Sequence, residues 1–322
     1  MEITYSYAPA VAAWYMALQQ VHSEMLATAG LRREHLICPV FVSEKAPEGL
    51  GAMQGIAAVP LGGVASHHQR IADAGINSVI IFGIPCRRDV RGSAAGDRNG
   101  VVQQAVKEIK SVFGKSINVV TDVCVCQYNL SGHCGLLRGG KVENDPTVRM
   151  LAQIAKSHVD AGADVVAPSA MMDGQVKAIR EVVGSRARIL SYSAKHASSL
   201  YAPFRSAAFA KKGKIDKASY QVSYATPRQA MREMALDIAE GADMVMVKPG
   251  MAYLDLVKRA KEQFRVPVVV QNVSGEYAMI KAAGMRGWID EEAWKALSLA
   301  SMRRAGADRI ISYFALDVAA LL

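Results

Sequence analysis

Apolar residues along this chain gather into short continuous runs that alternate with longer amphipathic stretches. Eight runs rich in β-branched residues stand at 36–42, 78–84, 117–125, 164–170, 188–194, 243–247, 266–274 and 309–315. Between them, 101–113, 146–161, 227–240 and 291–305 carry apolar positions at helical spacing. Continuous runs, in place of strict alternation, predict strands covered on both faces. Eight strand–helix units predict an α/β protein built as a closed (β/α)8 TIM barrel. An open doubly wound sheet is the weaker reading, because no phosphate-binding glycine loop follows the first strand.

The same punctuation precedes three of the strands: Ala161-Gly162-Ala163-Asp164, Glu240-Gly241-Ala242-Asp243 and Ala305-Gly306-Ala307-Asp308. Ala74-Gly75-Ile76-Asn77 is a looser copy. A glycine just past a helix end is expected to take the left-handed conformation and hand the chain on to a buried strand. Two segments fall outside the repeat. Residues 1–30 are read as an N-terminal helical arm, with Val11, Trp14, Tyr15, Leu18, Val21, Met25 and Leu26 at helical spacing. The arm is expected to pack on the outside of the 31–322 barrel or on a neighbouring subunit. The stretch 195–226, rich in Ser, Gly and Lys, is long enough to be read as an active-site cover.

Of the 322 residues, 51% are apolar and 21% charged, which excludes disorder. No run of about 18 uncharged apolar residues is present, so no membrane span is expected. Lys plus Arg number 38 against 29 Asp plus Glu, a net charge of +9. The basic doublets Arg32-Arg33, Arg87-Arg88 and Lys211-Lys212 are scattered and aromatic residues are few, so the charge points to a small anionic substrate and not to nucleic acid. Five cysteines make an odd number for a disulfide framework and argue for a reducing compartment. Residues 8–18 mimic a signal h-region, but Met1-Glu2 has no positive charge ahead of it, so a cytoplasmic location is expected.

The sharpest chemical signal is the segment 121–135, which holds Asp122, Cys124, Cys126, His133 and Cys134. On a strand, Asp122, Cys124 and Cys126 share a face, and a glycine-containing loop can return Cys134 to them. Three thiolates leave one position of a tetrahedral zinc open, which suits catalysis. The bland alternative is three buried cysteines packing as small hydrophobes. His133 is read as a neighbour of the cluster and not a ligand, and Cys38 and Cys86 as structural. The second signal is a lysine at each of two adjacent strand ends, Lys195 and Lys248. Desolvation and a nearby cation each disfavour an ammonium, freeing an amine to attack a carbonyl. Ser169, Ser274 and Tyr313 are expected at further strand ends. Tyr201, Phe204, Arg205, Lys217 and Gln221 come from the long excursion, whose cations could clamp a carboxylate.

Together, Asp122–Cys126 (DVCVC), 132–135 (GHCG), 167–174 (APSAMMDG), 191–195 (SYSAK), 201–205 (YAPFR), 246–250 (MVKPG), 273–277 (VSGEY) and 312–314 (SYF) resemble the porphobilinogen synthase, or 5-aminolevulinate dehydratase, family. The resemblance runs in order from about residue 36 to the C-terminus. It implies a lyase that condenses two 5-aminolevulinate molecules into porphobilinogen with loss of two waters, in tetrapyrrole and heme biosynthesis. Lys248 would match the lysine that forms a Schiff base with the first substrate, whose carboxylate would meet Ser274 and Tyr313. Lys195 would engage the second substrate, with its carboxylate on Arg205, Lys217 and Gln221. Zinc on Cys124, Cys126 and Cys134 would act near the second amino group, with Asp122 and Ser169 assisting proton transfer. Glu233 matches a glutamate that binds an allosteric magnesium in some members, and a homo-oligomer, octamer or hexamer, is implied.

Departures from the family pattern are Lys217 in place of a common arginine, Gln127 in place of a frequent glutamate, and His196 where an aromatic is usual. Residues 1–30 also contain no Lys or Arg, where the family's arm carries arginines. Two competing readings fit less well. A class I aldolase needs one lysine and no metal. A non-catalytic zinc- or ligand-binding barrel has no use for paired lysines on apolar strand ends.

Overall fold

The computed structural model describes residues 19–45, 49–208 and 215–322. Its strands in chain order are β1 (Leu36–Ser43), β2 (Val59–Pro60), β3 (Ser78–Ile84), β4 (Asn118–Val123), β5 (Leu136–Arg138), β6 (Lys141–Glu143), β7 (Val165–Pro168), β8 (Arg188–Lys195), β9 (Met244–Lys248), β10 (Val268–Gln271) and β11 (Arg309–Ile311). Eight of them run parallel in the order β1, β3, β4, β7, β8, β9, β10, β11, and Leu36 of β1 lies opposite Ile310 of β11 to close the ring. The short β2 adds to the edge of β1, and β5 with β6 forms a separate antiparallel hairpin. These three short strands were not expected from the apolar pattern.

The helices are α1 (19–28), α2 (Val64–Asp73), α3 (Val101–Phe113), α4 (Asn144–Asp160), α5 (Gln175–Val183), α6 (Ala202–Ala208), α7 (Pro227–Ala239), α8 (Leu254–Gln263), α9 (Ser274–Met285), α10 (Glu291–Arg304) and α11 (Ala315–Ala319). Of the arm, Val11, Trp14, Tyr15 and Leu18 lie outside the described residues. Leu26 is buried against the barrel, Met25 packs beside it, and Val21 is exposed. The excursion after β8 contains its own short helix, α6.

At the rim where the strands begin, the repeated punctuation builds one device three times. Gly162, Gly241 and Gly306 sit at φ +110°, +105° and +115°, as the motif predicts. At Gly306 a Cβ would lie 2.9 Å from both Cβ and Cγ of Lys261, so only glycine leaves room for that stem. Lys261 then reaches past it to pair with Asp308 at 2.7 Å. Asp308 also accepts the Val268 backbone N–H at 2.8 Å, stitching β11 to β10 at their first residues. Lys110, Gly162 and Asp164 repeat this between β4 and β7, and Arg180, Gly241 and Asp243 between β8 and β9. The ion pairs are partly exposed and each contributes little, but the charge-assisted bonds to backbone are stronger. In the looser copy the stem of Arg33 crosses Gly75, but Asn77 offers no carboxylate and Arg33 turns to the Ala319 carbonyl at 3.0 Å.

At the opposite rim β4, β7, β10 and β11 end sooner than their apolar runs. β10 stops at Gln271 because the wholly buried Glu276 takes the next backbone donors. Its carboxylate accepts the Val273 and Met251 N–H groups, each at 2.8 Å, and Asn272 Nδ2 at 3.2 Å. Ser274, expected at a strand end, is therefore the first residue of α9. β11 stops at Ile311, where Ser312 Oγ accepts the Phe314 N–H at 3.1 Å and turns the chain. Tyr313 consequently stands in that turn and not in the strand. Cys124 and Cys126 likewise follow β4 and do not lie in it.

Candidate active site

Ten elements or turns deliver side chains to one pocket of about 40 Å³ at the carboxyl ends of the strands. Asp122, Cys126, Ser169, Lys195, Tyr201, Phe204, Arg205, Lys217, Gln221, Lys248, Ser274 and Tyr313 all line it. Every substrate-directed residue expected from the sequence thus converges on this mouth.

The cysteine cluster is built by Asn129, a residue the sequence reading passed over. After β4 a tight turn carries the Tyr128 and Asn129 N–H groups to the Val125 carbonyl, both at 3.0 Å. The buried Asn129 side chain then accepts the Gly132 N–H at 2.7 Å and donates to the His133 carbonyl at 2.9 Å. This folds 129–134 back and sets Cys134 beside Cys124 and Cys126. The three sulfurs lie within 4.8 Å of one another, and Cys124 and Cys126 are 3.2 Å apart. Among the described residues this is the one group of three or more side chains able to share a metal ion. His133 stands outside it, with Nδ1 3.1 Å from the Tyr220 hydroxyl.

Sulfur, burial and spacing together fit a soft tetrahedral ion that keeps one position open. Burial pushes the Cys124 thiol up to about 12, and it also raises Cys126. Cys134 is held well below the usual thiol range by hydrogen bonds from Cys124 and Cys126 and by Lys217, whose Nζ donates to its sulfur at 3.2 Å. Burial disfavours the Lys217 ammonium, but the cysteine sulfurs outweigh it and raise its pKa. Tyr220 adds a second anchor, receiving the Cys134 backbone N–H at 3.2 Å. Of the two cysteines read as structural, Cys38 is buried in β1, whereas Cys86 is exposed and does not pack.

The lysines stand side by side. Lys195 is opposite Lys248 in the β8–β9 register. Lys195 Nζ donates to the Ser169 carbonyl, and both amines lie over the Tyr192 ring, at 5.6 and 4.9 Å. Lys248 is lowered to about 7, first by burial and then by the positive charge of Lys195. Asp122 is raised by burial, with Lys195 and Ser169 acting the other way. A carboxyl raised by burial and an amine lowered by it thus line the same pocket.

The excursion closes over them. Lys248's own carbonyl accepts the His196 N–H at 2.9 Å and the Tyr201 hydroxyl at 3.1 Å. His196 stacks on Tyr253 at 3.7 Å. Ser274 Oγ accepts the Phe204 N–H at 3.1 Å and donates to the Leu200 carbonyl at 3.2 Å. The cover crosses α9 at Gly275, where a Cβ would lie 2.5 Å from the Leu200 carbonyl oxygen. Phe204 packs on Phe41 and Phe82, and Tyr313 stacks on Phe41 with the rings 7° from parallel. Arg205 lies over the Tyr201 ring at 5.7 Å.

Glu233 is elsewhere. It stands half-buried on α7 in a separate cleft of about 660 Å³ shared with Asp173, Asp237 and Glu240. Burial and then Asp173 raise its pKa. Magnesium there rests on the resemblance alone. Cavity residues that the sequence reading did not single out are Phe82, Gln271 and Val273, with Tyr192 beneath the lysines.

A model of the family described as Delta-aminolevulinic acid dehydratase matches residues 15–321 of the chain. A protein of Archaeoglobus fulgidus named delta-aminolevulinic acid dehydratase is 45% identical over 92% of this chain and 93% of its own length. The Bacillus subtilis protein of the same name is 41% identical over 92% and 93%. Among solved structures, delta-aminolevulinic acid dehydratase (porphobilinogen synthase) from Toxoplasma gondii ME49, in complex with its reaction product porphobilinogen, superposes with a TM-score of 0.87 at 36% identity, covering 90% of this chain and 85% of that one.

Proposed function

The chain belongs to the delta-aminolevulinic acid dehydratase family, a lyase family, and we propose that its barrel mouth joins two 5-aminolevulinate molecules through imines on Lys248 and Lys195. The condensation to porphobilinogen, with loss of two waters, is the family's reaction and serves tetrapyrrole and heme synthesis. The observation that carries the residue assignment is the pair of adjacent buried lysines, one of them lowered to about 7, lining one pocket with Cys126 of the three-cysteine cluster.

At neutral pH a good fraction of Lys248 is the free amine, able to attack the ketone of the first substrate and expel water. Ser274 and Tyr313 present hydroxyls for that molecule's carboxylate. Lys195 attacks the second ketone and expels the second water, while Arg205, Lys217 and Gln221 take the second carboxylate. The amino group of the first molecule then displaces Lys195 at the second molecule's C4, forming the carbon–nitrogen bond and returning that lysine as an amine. Carbon–carbon bond formation and elimination of Lys248 complete the ring, so the two waters lost in imine formation account for the whole stoichiometry. Asp122, whose pKa burial raises, stands to give and take a proton at the reacting carbons, with Ser169 beside it. Cys124, Cys126 and Cys134 would hold zinc, which supplies a Lewis-acidic position facing the second substrate. Lys217, paired with Cys134 and lining the cavity, ties the cover to that cluster. Self-assembly belongs to the same reading, and sedimentation of the full chain distinguishes hexamer from octamer.

The test is borohydride reduction in the presence of 5-aminolevulinate or its analogue without the amino group, 4-oxopentanoate, followed by peptide mapping. Ligand fixed on Lys248, with a pyrrole detected by colour reagent in unreduced samples, is the expected result. Folded, zinc-loaded protein that yields neither overturns the residue assignment.

A further inference from the structure

Lys195 and Lys248 face each other across β8 and β9, and Val270 of β10 lies opposite Val247. One step on, Gln271 falls level with Lys248 on its other side, so the row across three adjacent strands reads amine, amine, carboxamide. Gln271 is 1% exposed and lines the cavity with Lys248, Ser274 and Tyr313. Its Oε1 is buried with no hydrogen-bond partner among the described residues. Leaving a buried amide oxygen unpaired is costly, and such groups in a native fold call for an explanation. A purely apolar residue would complete the β10 run Val268–Val270 more cheaply. Across the row, Lys195 already donates to the Ser169 carbonyl.

The geometry points to Gln271 as a substrate-binding residue that accepts a hydrogen bond from the amino group of the molecule held on Lys248. A 4-keto acid anchored by its carbonyl at Lys248 and its carboxylate at Ser274 and Tyr313 has one polar group left to place. That group is the amine that must reach the second substrate. A fixed acceptor beside the attachment point orients the amine while leaving its lone pair to attack, because the contact is made through N–H. The inference rests on Lys248 being the first attachment point.

The experiment compares two ligands that differ only in that amine. In Gln271→Met, which preserves side-chain length, KM for 5-aminolevulinate is expected to rise about tenfold or more. The inhibition constant of 4-oxopentanoate should stay within about twofold, and the thermal midpoint should not fall, since an unsatisfied group is removed. Equal losses for both ligands would show that Gln271 holds a shared part of the molecule or shapes the pocket, and no change for either would show it idle; each overturns the inference. If Gln271→Met does not fold, Gln271→Leu carries the same comparison. Trapping of 4-oxopentanoate by borohydride in the unaltered protein separates the two levels. Failure to label Lys248 there counts against the proposed attachment, whereas normal labelling with an unchanged ligand ratio counts against Gln271 only.

Discussion

The two rims of the barrel are made on opposite rules. Where the strands begin, each of three carboxylates, Asp164, Asp243 and Asp308, meets a cation and a backbone donor, and glycine clears the way for the cation's stem. Where the strands end, two lysines stand beside each other, burial raises the pKa of Asp122, and the oxygens of Gln221, Gln271 and Tyr192 have no partner among the described residues. One rim satisfies its charges in itself. The other holds groups whose partners must come from outside, which is what a binding mouth requires and what a purely structural rim avoids.

That contrast can be broken by substitution. The largest effect is expected at Lys248→Met, which should abolish turnover and remove the borohydride label from that peptide, whereas Lys195→Met should leave some turnover and keep the label on Lys248; equal residual activity would undo the assignment of roles. Labelling of Lys248 in the unaltered protein should also decline as pH falls through about 7, because the lowered amine becomes an ammonium there. In Lys195→Met that decline should begin at higher pH, since the neighbouring positive charge is gone. Gly275→Ala is next. Its Cβ would press on Leu200 backbone, so the cover cannot seat, and kcat/KM should drop by about 10²-fold with the thermal midpoint nearly kept. Cys124→Ser should reduce zinc content, read by metal analysis, and lower the rate by about 10- to 100-fold without unfolding the barrel. Full activity in chelator-treated mutant would make the metal incidental. The smallest effect on activity, near none per folded molecule, is expected at Asp308→Ala. There the loss falls on stability, about 1.5–3 kcal/mol, seen as a lower thermal midpoint.

The repeating rim was readable because its device is local: Gly306 and Asp308 sit two residues apart, and the apolar runs beside them keep one period. Ser78–Ile84 and Val101–Phe113 appear with the limits their patterns predict. The lysines and cysteines were visible as polar groups in apolar company. What sequence pattern missed is long-range. Strand ends at Gln271 and Ile311 are decided by side-chain bonds to backbone that apolar runs do not show, from Glu276 to Val273 and the distant Met251 and from Ser312 to Phe314. Tyr220 reaches Cys134 across 86 positions. The placing of Arg205, Lys217 and Gln221 was legible through resemblance, since a basic loop carries no periodicity to say which way it folds.

The bonds from His196 and Tyr201 to Lys248's own carbonyl tie the excursion to the peptide that carries the lysine. Whatever shifts that stretch therefore tugs on the lysine through its backbone, with no side-chain contact needed.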